Sequence, residues 1–160
     1  MPVNTAAPMR KLLATLTAII LVLDIAAPVA DAQAIEPYDL RTEYKTDPVG
    51  IDVEIPRLSW KLRSGNRDVV QQAYQLRLAA SERDLERGRN LLWDTDRIES
   101  DQSVHVAYDG PALESGERYY WQVRVWDQED RRSDWSDPST FEMGLLLPAG
   151  HLLPEAVSLP

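Results

Sequence analysis

Residues 119–127 read Tyr-Tyr-Trp-Gln-Val-Arg-Val-Trp-Asp, and no other run constrains the fold of this chain as tightly. Tyr119, Trp121, Val123 and Val125 fall on one face of an extended chain, and Tyr120, Gln122, Arg124 and Trp126 fall on the other. A period of two is the signature of a strand with one side buried, whereas on a helix the same residues would scatter around the axis. A turn rich in charge follows, and then Ser133-Asp134-Trp135-Ser136 brings in a further aromatic.

Similar patterns recur upstream. Strands are expected at 39–44, from Pro56 with Leu58, Trp60 and Leu62 sharing a face, and at 73–80 with Tyr74, Leu76 and Leu78 inward. Residues 81–88 break the alternation. Ser81 can cap a short helix with acids in its first turn, and Gly88 can end it. Strands resume at 91–98, at 104–108 with Val104, Val106 and Tyr108 inward, through Tyr119, and at 140–143. Gly65-Asn66 and Asp109-Gly110-Pro111 supply turns. About seven strands at this spacing make an all-β sandwich of the fibronectin type III or immunoglobulin kind. Leu113 lies six residues before Tyr119, the spacing of a tyrosine corner, in which the phenol folds back onto the backbone of the preceding loop. The core is expected from Trp60, Tyr74, Leu76, Trp93, Val106, Tyr119, Trp121 and Val123.

The flanks read differently. Arg10 and Lys11 precede an apolar run at 12–23, shorter than the roughly 20 residues of a membrane span, and Ala30-Asp31-Ala32 supplies small residues for a signal peptidase. This divides the chain into a signal peptide (1–32), a linker (33–36), the sandwich (37–145) and an unstructured tail (146–160) with three prolines. Export to the periplasm or the medium is expected, with no membrane attachment after cleavage. The leader carries two cations and two anions, so the net charge of −9 over 160 residues is also that of residues 33–160. An acidic surface repels nucleic acid and anionic membranes. Without cysteine, an exported domain has no disulfides or thiolate metal sites and depends on its core.

Chemistry-bearing groups are sparse, and no catalytic residue, metal or cofactor is expected. Asp94 and Asp96 could form a carboxylate pair on one strand face, but nothing nearby in sequence would raise one pKa, and a solvated acidic edge fits better. Asp127, Glu129 and Asp130 lack the graded ligand order of a calcium loop and have Arg131-Arg132 beside them. His105 and His151 share no metal-ligand spacing, and no serine sits in a Gly-x-Ser-x-Gly elbow.

Five tryptophans and six tyrosines are the stronger lead. Tyr120 and Trp126 should face away from the core, with Trp135 across a short turn, and together they could form a platform that binds a sugar or a protein partner. Alternatively, Trp135 lies against Arg124 or Arg132 in a cation–π ladder that stiffens the sheet, and the arginine spacing favours the ladder.

Residues 40–145 resemble the N-terminal fibronectin-like domain of bacterial α-L-rhamnosidases. The matching phrases are Thr42-Glu43-Tyr44, Pro48-Val49-Gly50-Ile51-Asp52, Pro56-Arg57-Leu58-Ser59-Trp60-Lys61-Leu62 and Gln72-Ala73-Tyr74-Gln75-Leu76-Arg77. Leu92-Trp93-Asp94, Ser100-Asp101-Gln102-Ser103, the run from Tyr120 to Asp127, Ser133-Asp134-Trp135-Ser136 and Phe141-Glu142-Met143-Gly144-Leu145-Leu146 follow in order. The resemblance implies exported or cytoplasmic parent enzymes that remove terminal α-L-rhamnose with inversion, using two glutamates and a water in an α-helical toroid. Residues 147–160 lack the tryptophan-containing segment that opens the next β-domain of that family. The resemblance therefore implies an orphaned first module, from a truncated, frame-shifted or split gene, to which no catalytic residue carries over. The implied role is a non-catalytic accessory module whose partners are the remaining rhamnosidase domains. A stand-alone module binding a rhamnose-containing glycan is the alternative.

Overall fold

The computed structural model describes residues 35–146; the expected leader and His151 lie outside the described residues, as do all residues of the expected tail beyond Leu146. Among the described residues, eight strands and one helix occur in the order β1 (Glu36–Thr42), β2 (Arg57–Arg63), β3 (Gln71–Ala79), α1 (Glu82–Arg87), β4 (Trp93–Asp94), β5 (Ile98–Glu99), β6 (Val106–Ala107), β7 (Arg118–Asp127) and β8 (Ser139–Glu142). One sheet has the order β1-β2-β6. The other runs β4-β3-β7-β8, with β5 also on β3. All strand pairs are antiparallel.

The two sheets bury their facing sides as the alternation requires. Leu58 and Trp60 from the first sheet join Tyr74, Leu76, Leu78, Tyr119, Trp121, Val123 and Val125 from the second in one apolar cluster. The long β3–β7 ladder sets the register, with Leu76 opposite Val123 and Leu78 opposite Trp121. Leu62 and Trp93 are only partly buried against this cluster.

Local chemistry explains most element ends. Ser81 Oγ accepts from the amide of Asp84, and Gly88 closes α1 in the left-handed conformation at φ 60°. Strand β1 begins three residues earlier than the pattern suggested and stops at Thr42. Glu43 and Tyr44 take positive φ, and Thr42 and Lys45 exchange backbone hydrogen bonds of 3.0 Å across the resulting turn. Ile35, assigned to the linker from sequence, is 2% exposed and belongs to the core. Leu146, assigned to the tail, packs against that core, and its amide donates to Ser115 Oγ at 2.9 Å.

The region between α1 and β7 needed correction. The strand expected over 91–98 is two separate two-residue strands, because Asp96 turns the chain at φ 51°. The strand expected over 104–108 shrinks to Val106–Ala107. Val104 is 54% exposed rather than inward, since His105 at φ 57° breaks the alternation between it and Val106.

The tyrosine corner is present. Tyr119 Oη accepts from the amide of Glu114 at 2.8 Å, with Leu113 buried beneath the loop. Among the described residues no helix is long and apolar enough to cross a membrane.

Candidate functional site

The outer face of the β3–β7 ladder carries the aromatic residues singled out from the sequence. Strand pairing sets Gln75 opposite Arg124 and Ala73 opposite Trp126. Residues 133–136 then run back along β7. The amides of Ser133 and Ser136 donate to the carbonyls of Val125 and Val123 at 2.8 Å. In return the Val125 and Val123 amides donate to Ser133 Oγ and Ser136 Oγ at 3.0 and 3.1 Å. The two hydroxyls do the work of strand carbonyls, so a segment outside the named strands still satisfies a buried backbone. That pairing delivers Trp135 to the sheet.

Arg124 is the hub. Its guanidinium carbon lies 4.5 Å from the Trp135 ring centroid and 5.3 Å from that of Trp126. Arg77 lies over Trp135 at 4.0 Å, and Arg97 over Trp126 at 5.0 Å. Gln75 Oε1 accepts from Nε and Nη2 of Arg124 at 2.9 and 2.7 Å, while its amide nitrogen donates to Asp94 Oδ1 at 2.6 Å. Burial lowers the pKa of Arg124, reinforced by Arg132 and offset by Asp94. Burial likewise lowers that of Arg77, which Asp94 opposes and Arg124 reinforces. Two part-buried guanidinium groups over indole rings gain cation–π attraction that would be weaker in open water.

Of the three residues expected to form a platform, the fold brings two together. Trp126 and Trp135 share Arg124. Trp126 lies on the outer face of β7 as expected, but the sheet and its arginines leave it 8% exposed. Tyr120 is half-buried. It stands six residues, about 20 Å, from Trp126 along β7. The ladder expected from Arg124 or Arg132 forms with Arg124 and with two arginines that the sequence reading did not single out, Arg77 and Arg97. Arg77 alternates with Leu76 and Leu78, so its outward position was legible; its meeting with Trp135 required the pairing of β3 with β7.

The acidic groups are held by structural partners. Asp94 accepts from Gln75 and from the amide of Asp96 at 3.0 Å, which makes it a turn-closing group. Burial acts to raise the pKa of Asp127. The amides of Arg131 and Glu129 and the Arg131 guanidinium outweigh it and hold the carboxyl below its ordinary value. Among the described residues no group of three or more His, Asp or Glu side chains is placed to hold a metal ion. His105 packs edge-on against Tyr44, with centroids 4.8 Å apart.

These features define an immunoglobulin-like sandwich whose outer-face tryptophans Trp126 and Trp135 are packed against its own arginines. Residues 37–147 match the family described as the Rha78A-like, N-terminal immunoglobulin domain, and the chain belongs to that family. It is 44% identical over 104 residues to an α-L-rhamnosidase of Streptomyces avermitilis, covering 65% of this chain and 10% of that protein. An α-L-rhamnosidase of Formosa agariphila is 37% identical over 102 residues, or 64% of this chain and 11% of that protein. The chain thus spans about a tenth of the length of these curated relatives. Among solved structures, the S. avermitilis α-L-rhamnosidase complexed with L-rhamnose superposes with a TM-score of 0.68 at 42% identity, over 71% of this chain and 11% of that one. The α-L-rhamnosidase of Dictyoglumus thermophilum gives 0.66 at 38% identity, over 69% and 12%.

Proposed function

We propose that this fibronectin type III-like domain is a non-catalytic accessory module of an exported α-L-rhamnosidase, which packs beside the remaining domains and steadies them. The observation that carries this reading is the match of residues 37–147 to a domain that makes up about a tenth of the relatives. The parent reaction, hydrolysis of terminal α-L-rhamnose, belongs to those other domains. The export half of the reading rests on the sequence of residues 1–32.

An apolar surface supports the docking role. The chain leaves the described fold beside the loop at 48–53, whose Gly50 and Ile51 amides both donate to the Glu142 carbonyl at 2.9 Å. Val49, Val53 and Leu145 on these two segments are exposed. Apolar side chains gathered where the polypeptide continues suit contact with a following domain.

The test is made on the S. avermitilis relative. Deleting the segment aligned with residues 37–147 should lower its melting temperature and soluble yield, and adding this chain in trans should restore part of both. An unchanged melting temperature after the deletion rules the reading out.

A further inference from the structure

Arg41, Arg57, Arg63, Arg97, Arg118 and Arg131 each have a carboxylate oxygen within 3.2 Å. Arg77 and Arg124, on the outer face of the β3–β7 ladder, meet glutamine instead. The register sets Arg77 opposite Gln122 and Arg124 opposite Gln75. Gln75 Oε1 takes Nε and Nη2 of Arg124, and Gln122, its amide oriented by the same network, turns its side-chain oxygen to Nε and Nη2 of Arg77. These are the cross-strand positions at which an acidic residue would cancel the charge. An amide satisfies two nitrogens of each guanidinium and leaves its charge standing.

Positive charge therefore gathers at Trp135. The part-buried guanidinium groups of Arg77 and Arg124 both lie within 4.5 Å of its ring centroid, and among the described residues Nη1 of neither has an acceptor. Arg132 stands close enough to Arg124 to oppose its charge. Its side chain is exposed and makes no hydrogen bond or ion pair among the described residues. Asp94 acts on both Arg77 and Arg124, but its Oδ1 is taken by the Gln75 side chain and the Asp96 amide. One anion thus faces three cations. The chain has 26 acidic residues against 17 basic ones, so the missing carboxylates do not reflect a shortage.

We propose that this face docks an extended acidic segment of a protein partner, whose Asp or Glu carboxylates take Nη1 of Arg77 and Arg124 and the Arg132 guanidinium. The spacing suits such a segment. Diagonal positions on paired strands lie about 7–8 Å apart, and alternate side chains of an extended chain about 7 Å apart. A guanidinium held flat against an indole is already oriented, so little freedom is lost when a carboxylate arrives. The flanks of this chain cannot supply the segment. Residues 147–160 contain one acidic residue, Glu155, and residues 1–34 contain Asp24 and Asp31, which are not at alternate positions. Nucleic acid suits the face less well, because its continuous phosphate charge would meet the net −9 of the chain. The inference stands apart from the accessory reading, whose apolar contact lies at 48–53 and 145.

The full chain is titrated with the peptide acetyl-Glu-Ser-Glu-Ser-Glu-amide and with its glutamine counterpart, while the arginine Nε–H and Trp135 indole N–H signals are followed by NMR. Saturable shifts at Arg77, Arg124 and Trp135 are expected with the glutamate peptide alone, fading as salt rises from about 0.05 to 0.5 M. Arg132→Gln should weaken binding about threefold, as loss of an exposed ion pair does, and leave the unfolding curve unchanged. Gln122→Glu gives Arg77 the carboxylate that the sheet lacks. It should weaken the peptide about tenfold while the domain melts no lower than the parent. The proposal is overturned if the glutamate peptide gives no saturable shift at low salt, or if the glutamine peptide binds as well. It also fails if Gln122→Glu binds the glutamate peptide like the parent. Inorganic phosphate or hexathymidylate shifting these signals where the peptide does not would overturn it too. So would the same shifts on concentrating the chain alone, which would mark a second copy as the occupant.

Discussion

The indole nitrogen of Trp121 donates across the sandwich to Oγ1 of Thr42, 3.2 Å away, and both side chains are fully buried. The bond joins β7 to β1, 79 residues apart in the chain. It satisfies the single polar side-chain atom that Trp121 brings into the core, and it ties one sheet to the other.

Replacing Thr42 by Val keeps the shape and removes the acceptor. The stranded indole should cost about 1–3 kcal/mol, against about 3–5 kcal/mol for Trp121→Ala. Urea unfolding monitored by tryptophan fluorescence measures both. A Thr42→Val protein as stable as the parent would show that the bond contributes nothing net.

Arg124 holds two indole rings and Gln75, so Arg124→Ala should destabilise the domain by about 1–2 kcal/mol. Arg124→Lys should recover only part of that, since an ammonium cannot lie flat between rings while also bonding Gln75 through two nitrogens. Thermal melts of the two variants decide it. Full recovery by lysine would mean that charge alone matters.

Ser133 and Ser136 each cap a β7 amide. Ser136→Ala should leave the buried Val123 N–H without its acceptor and cost about 1–3 kcal/mol. Hydrogen exchange at Val123 should quicken in that variant well before exchange at Leu76, which lies on the other side of the ladder. Equal acceleration at both amides would indicate global loosening instead.

Asp127 sets the sign of an acid limb. Its folded pKa lies below the ordinary carboxylate value, so the unfolded chain takes up its proton first as pH falls. The stability it contributes is complete above the unfolded pKa and disappears as pH drops through the folded one. Asp127→Asn should therefore be less stable than the parent at neutral pH, with the gap closing toward low pH. A gap that stays constant with pH would refute the assignment.

Tyr108 sets an alkaline limb of opposite sense. Burial, aided by the neighbouring Tyr119, pushes its phenol up to about 12. Ionisation is easier in the unfolded chain, so the stability is complete below the ordinary tyrosine pKa and is lost as pH rises through the folded value. Absorbance titration of Tyr108→Phe should lack the latest-ionising phenol, and that variant should tolerate base better. Unchanged alkaline unfolding would show that another group triggers the transition.

The long strands were legible because each carries its burial pattern locally. The alternation of Tyr119, Trp121, Val123 and Val125, the Ser81 cap and Gly88, and the six-residue spacing from Leu113 to Tyr119 all express short-range geometry. The short strands were not, because β4, β5 and β6 exist only where β2 and β3 accept them, and single positive-φ residues at Asp96 and His105 cut the pattern. The resemblance to α-L-rhamnosidases was likewise legible in phrases read in order, without any knowledge of contacts.

Sequence alone determined which residues turn inward and which turn outward along β2, β3 and β7, since a period of two is a property of the extended backbone itself. Tertiary structure decided what the outward residues meet. Trp126 and Trp135 share Arg124 because a segment of irregular backbone pairs with β7 through two serines, and Arg77 arrives from a strand some 45 residues earlier. That the Tyr74 hydroxyl has no hydrogen-bond partner among the described residues is a tertiary fact of the same kind. Whether a polar atom finds a partner depends on the closing of a sheet edge, and no local pattern in the chain encodes that.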